Sequence, residues 1–313
     1  MDARYLPYVV LAAAFCLLPF WVPWLSFVFV LALATGFAAL GVALMLRAGL
    51  ISLGHAGFYA LGAYVTAFLS GTDGMGDLVI LLLASTILSA AAGAVIGPFM
   101  VRYRAIFFAM LNLAISMVFF TLLSKLYHIT GGTDGVRVQA PSVFGLAVER
   151  ATFESILLYG GFLLFCLIAY AVHGYLISPM GQALSAVHTN EVRLEYLGIS
   201  VSRVLLAAYA ISAGLAGLGG AIAALAIGHV VPEMAYWTVS GQLVLVAVLG
   251  GIGGVAGPFI GAAFLEVVRA FATGYFADAW NLVIGVALIG VIFFLPAGLY
   301  GLVKEFVRAG ERP

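Results

Sequence analysis

The sequence predicts an all-α protein, a polytopic membrane helix bundle of nine or ten transmembrane helices with glycine-broken segments, and three observations predict it. Of 313 residues 65% are hydrophobic and 8% charged, with a mean hydropathy of +1.19, whereas an ordinary soluble domain carries roughly 25% charge. Asp, Glu, Lys and Arg are absent from 5–46, 48–72, 78–101, 105–124, 155–190, 204–232, 234–265 and 279–303. Each run reaches or exceeds the roughly 20 residues that cross a bilayer core. One such run could be a buried helix of a soluble protein; eight in one chain require the membrane as solvent. The third observation is where the few cations fall, which gives the bundle an orientation.

The apolar stretches place spans at 6–22, 25–46, 50–70, 78–101, 105–127, 155–177 and 204–228, a glycine-broken pair over 239–272, and a last span at 279–297. The first has Arg4 before it and no small-residue cleavage site after it, so it reads as retained. With a cytoplasmic N-terminus and the broken pair counted as two crossings, Arg4, Arg47, Arg102, Arg104, Arg193, Arg203, Lys304, Arg308 and Arg312 lie inside. Lys125, Arg137, Arg150 and Arg269 lie outside. That is the positive-inside asymmetry; it favours ten spans with both termini cytoplasmic, because a single crossing would strand the basic tail outside.

Two polar segments are long enough to hold structure. Residues 128–154 form the predicted external loop, where Thr130-Gly-Gly-Thr-Asp-Gly135 supplies tight turns and Asp134 a local hydrogen-bonding side chain. Residues 178–203 face the cytoplasm. Ser178 can cap a helix that opens on Pro179, with Met180, Leu184 and Val187 along one face. Asn190 can cap a second short helix with Glu191 in its first turn and Gly198 past its end. On pattern alone this elbow reads first as an amphipathic connector on the bilayer surface.

The chemistry that is missing narrows the function. Net charge is zero, with 13 basic and 13 acidic residues, so a nucleic-acid partner has no basic face to bind. The two lysines, Lys125 and Lys304, sit in no phosphate-cradling Gly-x-x-x-x-Gly-Lys-Ser/Thr loop, so ATP hydrolysis is not expected of this chain. His55, His128, His173, His188 and His229 show no metal-ligand spacing, and no nucleophile turn occurs, so catalytic and metal sites are both expected to be absent. Cys16 and Cys166 lie in apolar runs and read as small packing residues. Glu266 precedes Arg269 by one helical turn, a spacing at which the two neutralise each other. One intramembrane carboxylate is poor support for an ion-coupled transporter or a charged channel filter.

What is present is glycine at membrane depth. Gly49-Leu-Ile-Ser-Leu-Gly-His-Ala-Gly-Phe-Tyr-Ala-Leu-Gly-Ala-Tyr64 holds Ser52, Gly54, His55, Gly57 and Gly62. The stretch from Leu249 to Ala262 holds Gly250, Gly251, Gly253 and Gly257. Any single glycine serves close helix packing as well as a broken helix, but paired breaks in the two halves of a chain point to a transport path lined by these residues. His55 reads first as a neutral histidine hydrogen-bonded to a neighbouring helix, with a functional role as the alternative.

Five patterns in order carry a resemblance: Gly49 to Ala63, Gly131-Gly-Thr-Asp-Gly135, Asn190-Glu191 with Glu195-Tyr-Leu-Gly-Ile199, Ser212-Ala-Gly-Leu-Ala-Gly-Leu-Gly-Gly-Ala221, and Leu249-Gly-Gly to Gly257-Pro258. Over roughly residues 36–300 the chain resembles the permease subunits of Liv-type branched-chain amino-acid ABC importers. The resemblance implies that 1–313 is one ABC-importer transmembrane domain of a bacterial inner membrane, surrounded by lipid. It implies three kinds of protein partner: a homologous second permease, two cytoplasmic ATPases that use ATP, and a periplasmic solute-binding protein. It makes 178–203 the coupling segment, with Leu184, Val187, Asn190, Glu191, Arg193, Glu195 and Gly198 as the residues that meet the ATPase. The chain departs from the family where Gln182, Ser185 and His188 replace frequent arginines, where Gln242 replaces a glutamate and where Gly254 replaces a threonine. Urea, amide and carboxylate permeases of the same architecture are the alternative substrate classes.

Overall fold

The computed structural model describes residues 24–72 and 74–275, together with 282, 285, 286, 289, 290, 293 and 298–301. The predicted span at 6–22 lies outside the described residues, and the one at 279–297 lies almost wholly outside them. In chain order the structure contains α1 (Trp24–Arg47), α2 (His55–Ser70), α3 (Leu78–Met100), α4 (Ala105–Lys125) and the single turn α5 (Tyr127–Thr130). There follow a 3-10 turn at Gly132–Asp134, the two-residue strands β1 (Val136–Arg137), β2 (Ser142–Val143) and β3 (Leu146–Ala147), and α6 (Arg150–Ile177). The chain continues through α7 (Pro179–Thr189), α8 (Glu191–Tyr196), α9 (Val201–Ile227), β4 (His229–Val230), a 3-10 turn at Pro232–Ala235, α10 (Trp237–Gly250) and α11 (Gly257–Tyr275).

Among the described residues five helices, α1, α3, α4, α6 and α9, are long and apolar enough to cross a membrane. They divide into two classes. The apolar windows of α1 and α9 are 89% and 83% buried, whereas those of α3, α4 and α6 are 22%, 17% and 22% buried. The first pair forms the centre of the bundle. The others show leucines, isoleucines and phenylalanines outward, as a helix must whose solvent is hydrocarbon.

Small residues on α9 set how closely this centre packs. A Cβ placed on Gly219 would lie 2.3 Å from the Ala34 carbonyl of α1, one on Gly220 1.8 Å from the Tyr59 carbonyl of α2, and one on Gly217 2.1 Å from the Ser89 hydroxyl of α3. Three helices therefore touch α9 backbone to backbone, which in lipid replaces the hydrophobic driving force that water would supply. On α3 the buried positions Leu78, Leu81, Ser85, Ser89, Gly93, Gly97 and Met100 fall three or four apart, a narrow inward stripe of mostly small side chains.

Two boundaries differ from the sequence prediction. The span predicted from 50 begins at His55, because residues 48–50 close a turn on α1 through Ala48 and Leu50 N–H groups donating to the Met45 carbonyl. Helix α6 begins at Arg150 rather than 155 and so takes the end of the predicted loop 128–154. A charge-free run marks the hydrocarbon-facing part of a helix, not its polar end, and the first turn of α6 carries the Arg150–Glu154 ion pair at 2.9 Å. The Arg150 Nη2 also donates to the Ala226 carbonyl at the end of α9 over 2.7 Å.

The same loop is less purely turn than predicted. Strand β1 pairs antiparallel with β4, placing Val136 opposite Val230, and β2 pairs with β3 across the Phe144–Gly145 turn. Gly131, Gly132 and Gly135 all have positive φ, as the predicted tight turns require. It is the Asp134 carbonyl, not its carboxylate, that meets His229 Nε2 at 2.9 Å. Cys166, read from the sequence as a packing residue, is exposed on α6.

Candidate functional site

The elbow forms as its cap residues dictate. The Ser178 hydroxyl accepts from the Gly181 N–H, Pro179 occupies the first turn of α7, the Asn190 side chain accepts from the Arg193 N–H, and Gly198 follows α8 at φ +79°. Its inward face is the apolar face read from the sequence except at its first residue. Ala183, Leu184, Val187 and Leu194 are buried in one cluster with Met45, Leu50, Met100 and Val101, while Met180 is exposed. Leu184 and Val187, expected to meet a partner, are buried, and α7 packs against α9, α6 and α1. A helix held against a bundle spends its apolar stripe on that contact.

Glu191 is also engaged inside the chain. Its Oε1 accepts from Arg104 Nε at 2.6 Å, and the Arg104 Nη1 donates to the carbonyls of Val101 and of Tyr103, the latter at 3.1 Å. Arg193 and Glu195 remain exposed. Beside them Val192, Tyr196 and Leu197 are 59%, 88% and 71% exposed. This apolar tip, on a segment otherwise tied down, is the part of the elbow free to meet another surface. Sequence reasoning missed it because it followed the apolar face of α7, although the Tyr196-Leu197 pair before Gly198 was its signal.

Two family departures have local explanations. Gln182 Nε2 donates to the Ile177 carbonyl at 3.1 Å, serving the end of α6. A Cβ on Gly254 would lie 2.5 Å from the Tyr300 ring, so that ring occupies the space a threonine would fill.

The glycine segments hold mainly close contacts. A Cβ on Gly54 would lie 2.7 Å from the Asn112 carbonyl, one on Gly57 3.3 Å from the Phe119 ring, and one on Gly62 2.0 Å from the Gly217 carbonyl. In the second segment Gly250 and Gly257 face each other's neighbourhood across the α10–α11 turn, each with a carbonyl 2.0 Å from the built Cβ; Gly251 turns the chain at φ +95°, and Gly253 faces open space. The first segment meets α10 ahead of the second segment, where the Ser240 hydroxyl accepts from the Ala56 N–H at 2.8 Å. Helix α2 has no side-chain cap of its own, so a neighbouring helix supplies an acceptor for its first turn.

His55 bonds to its own segment rather than to a neighbouring helix. Its Nδ1 lies 2.7 Å from the Ser52 hydroxyl, both side chains are fully buried, and its Nε2 has no partner. Between the helices stand buried polar residues that the sequence reading passed over. The Tyr209 hydroxyl donates to Asn112 Oδ1 at 2.6 Å, the Ser116 hydroxyl to the Ala235 carbonyl at 2.7 Å, and Thr66 and Ser85 hydroxyls meet at 2.8 Å. Phe58 and Phe108 set their rings edge-on to Tyr209 at 5.7 and 6.1 Å. The signal was lone polar residues one helical turn apart, Asn112 with Ser116 and Ser85 with Ser89, inside charge-free runs.

Glu266 and Arg269 pair as their spacing predicted: Arg269 Nη1 donates to both carboxylate oxygens at 3.2 and 3.3 Å, and the Thr35 hydroxyl of α1 donates to Oε1 at 3.2 Å.

This bundle, with an elbow anchored at one end, is matched by a known family. Residues 24–292 match the model of the branched-chain amino acid transport system permease component. The chain belongs to that family. It is 31% identical over 281 residues to the high-affinity branched-chain amino acid transport system permease protein LivM of Salmonella typhimurium, and 30% identical to LivM of Escherichia coli, in each case over 83% of this chain and 66% of the relative. It therefore spans about two thirds of the length of those LivM relatives. It is also 26% identical over 277 residues to the permease protein LivH of Salmonella typhimurium, covering 81% of this chain and 86% of LivH. No solved structure matches the chain. This family member is accordingly a multi-pass membrane protein and a transport component.

Proposed function

We propose that the chain is the membrane-spanning permease subunit of an ATP-driven importer for branched-chain amino acids, energised by separate ATPase subunits. The observation that carries this reading is the family match over residues 24–292 together with an elbow whose exposed tip at Val192, Tyr196 and Leu197 is left free while Leu184, Val187 and Leu194 are buried in the bundle. The partners are a homologous permease, two cytoplasmic ATPases bearing on the elbow at 178–203, and a solute-binding protein that meets the end carrying 128–154. The paired relatives LivM and LivH support the two-permease arrangement. The chain has ten spans with both termini on the cytoplasmic face of the bacterial inner membrane, which is where the positive-inside distribution of its arginines puts them.

Alternating access is a repacking of helices between two states, biased by nucleotide at the ATPases and by the docked binding protein. The glycines at 54, 57, 62, 250, 251, 253 and 257, with Ser52 and His55, border the helices that move. Among the described residues the interior supplies hydrogen bonds that hold helix register, and its buried carboxylate Glu266 is neutralised by Arg269, which suits a path that must bind a zwitterion weakly enough to release it.

Reconstitution tests the proposal. The complete complex in proteoliposomes should accumulate leucine only with ATP and binding protein present. Leucine movement by this chain alone, with no ATPase added, would sink it.

A further inference from the structure

We propose that Arg104 is the residue through which movement of the elbow enters the membrane helices, by way of its ion pair with Glu191. The inference rests on the reading of 178–203 as the segment that meets the ATPase.

Arg104 stands where three elements converge. Its guanidinium bonds Glu191, the first residue of α8, at 2.6 Å, and donates to the Val101 and Tyr103 carbonyls just beyond α3. Carbonyls at a helix C-terminus lack intrahelical partners, so a cation that supplies donors there is held by the helix end itself. Its own backbone is the N-cap of α4, at φ −127° and ψ 164°. One side chain thus ties the elbow to the end of one membrane helix and the start of the next.

From Arg104 the connection continues along α4. The Phe108 N–H donates to the Arg104 carbonyl at 3.4 Å, Asn112 Nδ2 to the Phe108 carbonyl at 2.8 Å, and Tyr209 of α9 to Asn112 Oδ1 at 2.6 Å. Tyr209 in turn lies edge-on to His55 at 6.3 Å. Helix α4 buries only Phe108, Asn112 and Ser116, so its outer surface offers nothing that resists a shift along its length. The elbow's buried apolar residues share one cluster with Met100 and Val101, and such burial is non-directional. The charge-assisted hydrogen bond to Arg104 fixes register and transmits pull as well as push.

The pair is a poor candidate for a merely stabilising contact. Its side chains are 32% and 34% exposed, and ion pairs so placed contribute little to stability. Loss of the pair should therefore leave folding intact and cost coupling.

The test uses the complete complex in proteoliposomes, with leucine-loaded binding protein, and reads the stimulated rate of ATP hydrolysis, leucine uptake per ATP, and the thermal midpoint of the assembled complex. Arg104→Glu and Glu191→Arg should each lower stimulation by at least about fivefold, the lower end of an ordinary coupling energy, with assembly and thermal midpoint unchanged. The double swap should restore most of it, and Glu191→Gln, which keeps shape and removes charge, should show a milder loss. Arg102→Glu makes the same charge change at an exposed neighbour and should have no effect. Full stimulation in both single variants, or a double swap no better than the singles, overturns the proposal. Tyr196→Glu at the exposed tip separates the two readings. If it abolishes stimulation while Arg104→Glu does not, transmission through Arg104 alone is wrong; if it leaves stimulation intact, the elbow does not meet the ATPase and both fall.

Discussion

Gly62→Ala tests whether the glycines of α2 serve close packing. The added methyl would lie 2.0 Å from the Gly217 carbonyl and 2.6 Å from the Gly217 Cα, against a van der Waals distance nearer 3.4 Å. The obstacle is backbone inside α9, so relief requires the two helices to separate by more than an ångström where α9 also meets Ser89 and Tyr59. Overpacking of this kind costs about 1–3 kcal/mol, and a backbone obstacle puts this case at the upper end. Replacing a mid-helix glycine by alanine returns about 0.5–1 kcal/mol through chain entropy. The net is a loss of about 2 kcal/mol, roughly a thirtyfold fall in the folded-to-unfolded ratio. Thermal unfolding of the purified chain in detergent measures it, with Gly57→Ala expected to be mild, because its neighbour is the Phe119 ring at 3.3 Å, and Gly253→Ala neutral, because that site is open. A Gly62→Ala chain as stable as the parent would refute the packing argument, and loss of uptake at unchanged stability would return Gly62 to the transport path.

Asp77→Ala should lower the thermal midpoint, since Asp77 Oδ1 accepts from the Val79 N–H at the start of α3 and Oδ2 from the Gly145 N–H of the β2–β3 hairpin, both at 3.0 Å; a lost N-cap costs about 1 kcal/mol, and proteolysis should cut more readily near Phe144. Tyr209→Phe leaves the buried Asn112 Oδ1 without its donor, and an unsatisfied buried acceptor costs about 1–3 kcal/mol, so the detergent-solubilised chain should unfold several degrees earlier while keeping its membrane yield. Glu266→Ala strips Arg269 and Thr35 of their acceptor and should cut folded yield sharply, by at most the ~3 kcal/mol seen when a buried pair is broken; Glu266→Ala with Arg269→Ala should recover much of that yield, and normal folding with lost uptake in the single variant would make Glu266 a transport residue.

Among the described residues helix existence was legible because lipid imposes it: a charge-free run at membrane depth leaves its backbone groups few partners but their own helix. Ends were less legible, since the runs report where charge stops rather than where hydrogen bonding stops, and α6 duly begins at Arg150 inside the polar loop. The elbow's caps were readable from Ser178, Pro179, Asn190 and Gly198, whose roles are local. Its inward side was only partly readable: Leu184 and Val187 turn inward, but Met180 does not, and Glu191 is taken by Arg104 from 87 residues away. The buried polar contacts escaped for the same reason: nothing near Asn112 announces Tyr209, and Ser240 caps a helix that begins at residue 55.

The two kinds of contact in this bundle divide its work. Where α9 meets α1, α2 and α3, glycine lets backbone rest on backbone, and such contacts have one good distance and tolerate little sliding. Helices α4 and α6 hold fewer: α4 meets Gly54 at the Asn112 carbonyl and otherwise keeps an inward line of Phe108, Asn112 and Ser116, and a Cβ on Gly160 or Gly174 of α6 meets nothing within 4 Å. A movement imposed at the elbow will follow the compliant elements and spare the rigid ones. Of the two, α4 is the one joined to the elbow by a directional contact, at Arg104, and joined to the rigid centre by another, at Asn112 and Tyr209. A push on α8 therefore reaches α4 first, ahead of the glycine-packed centre along α9.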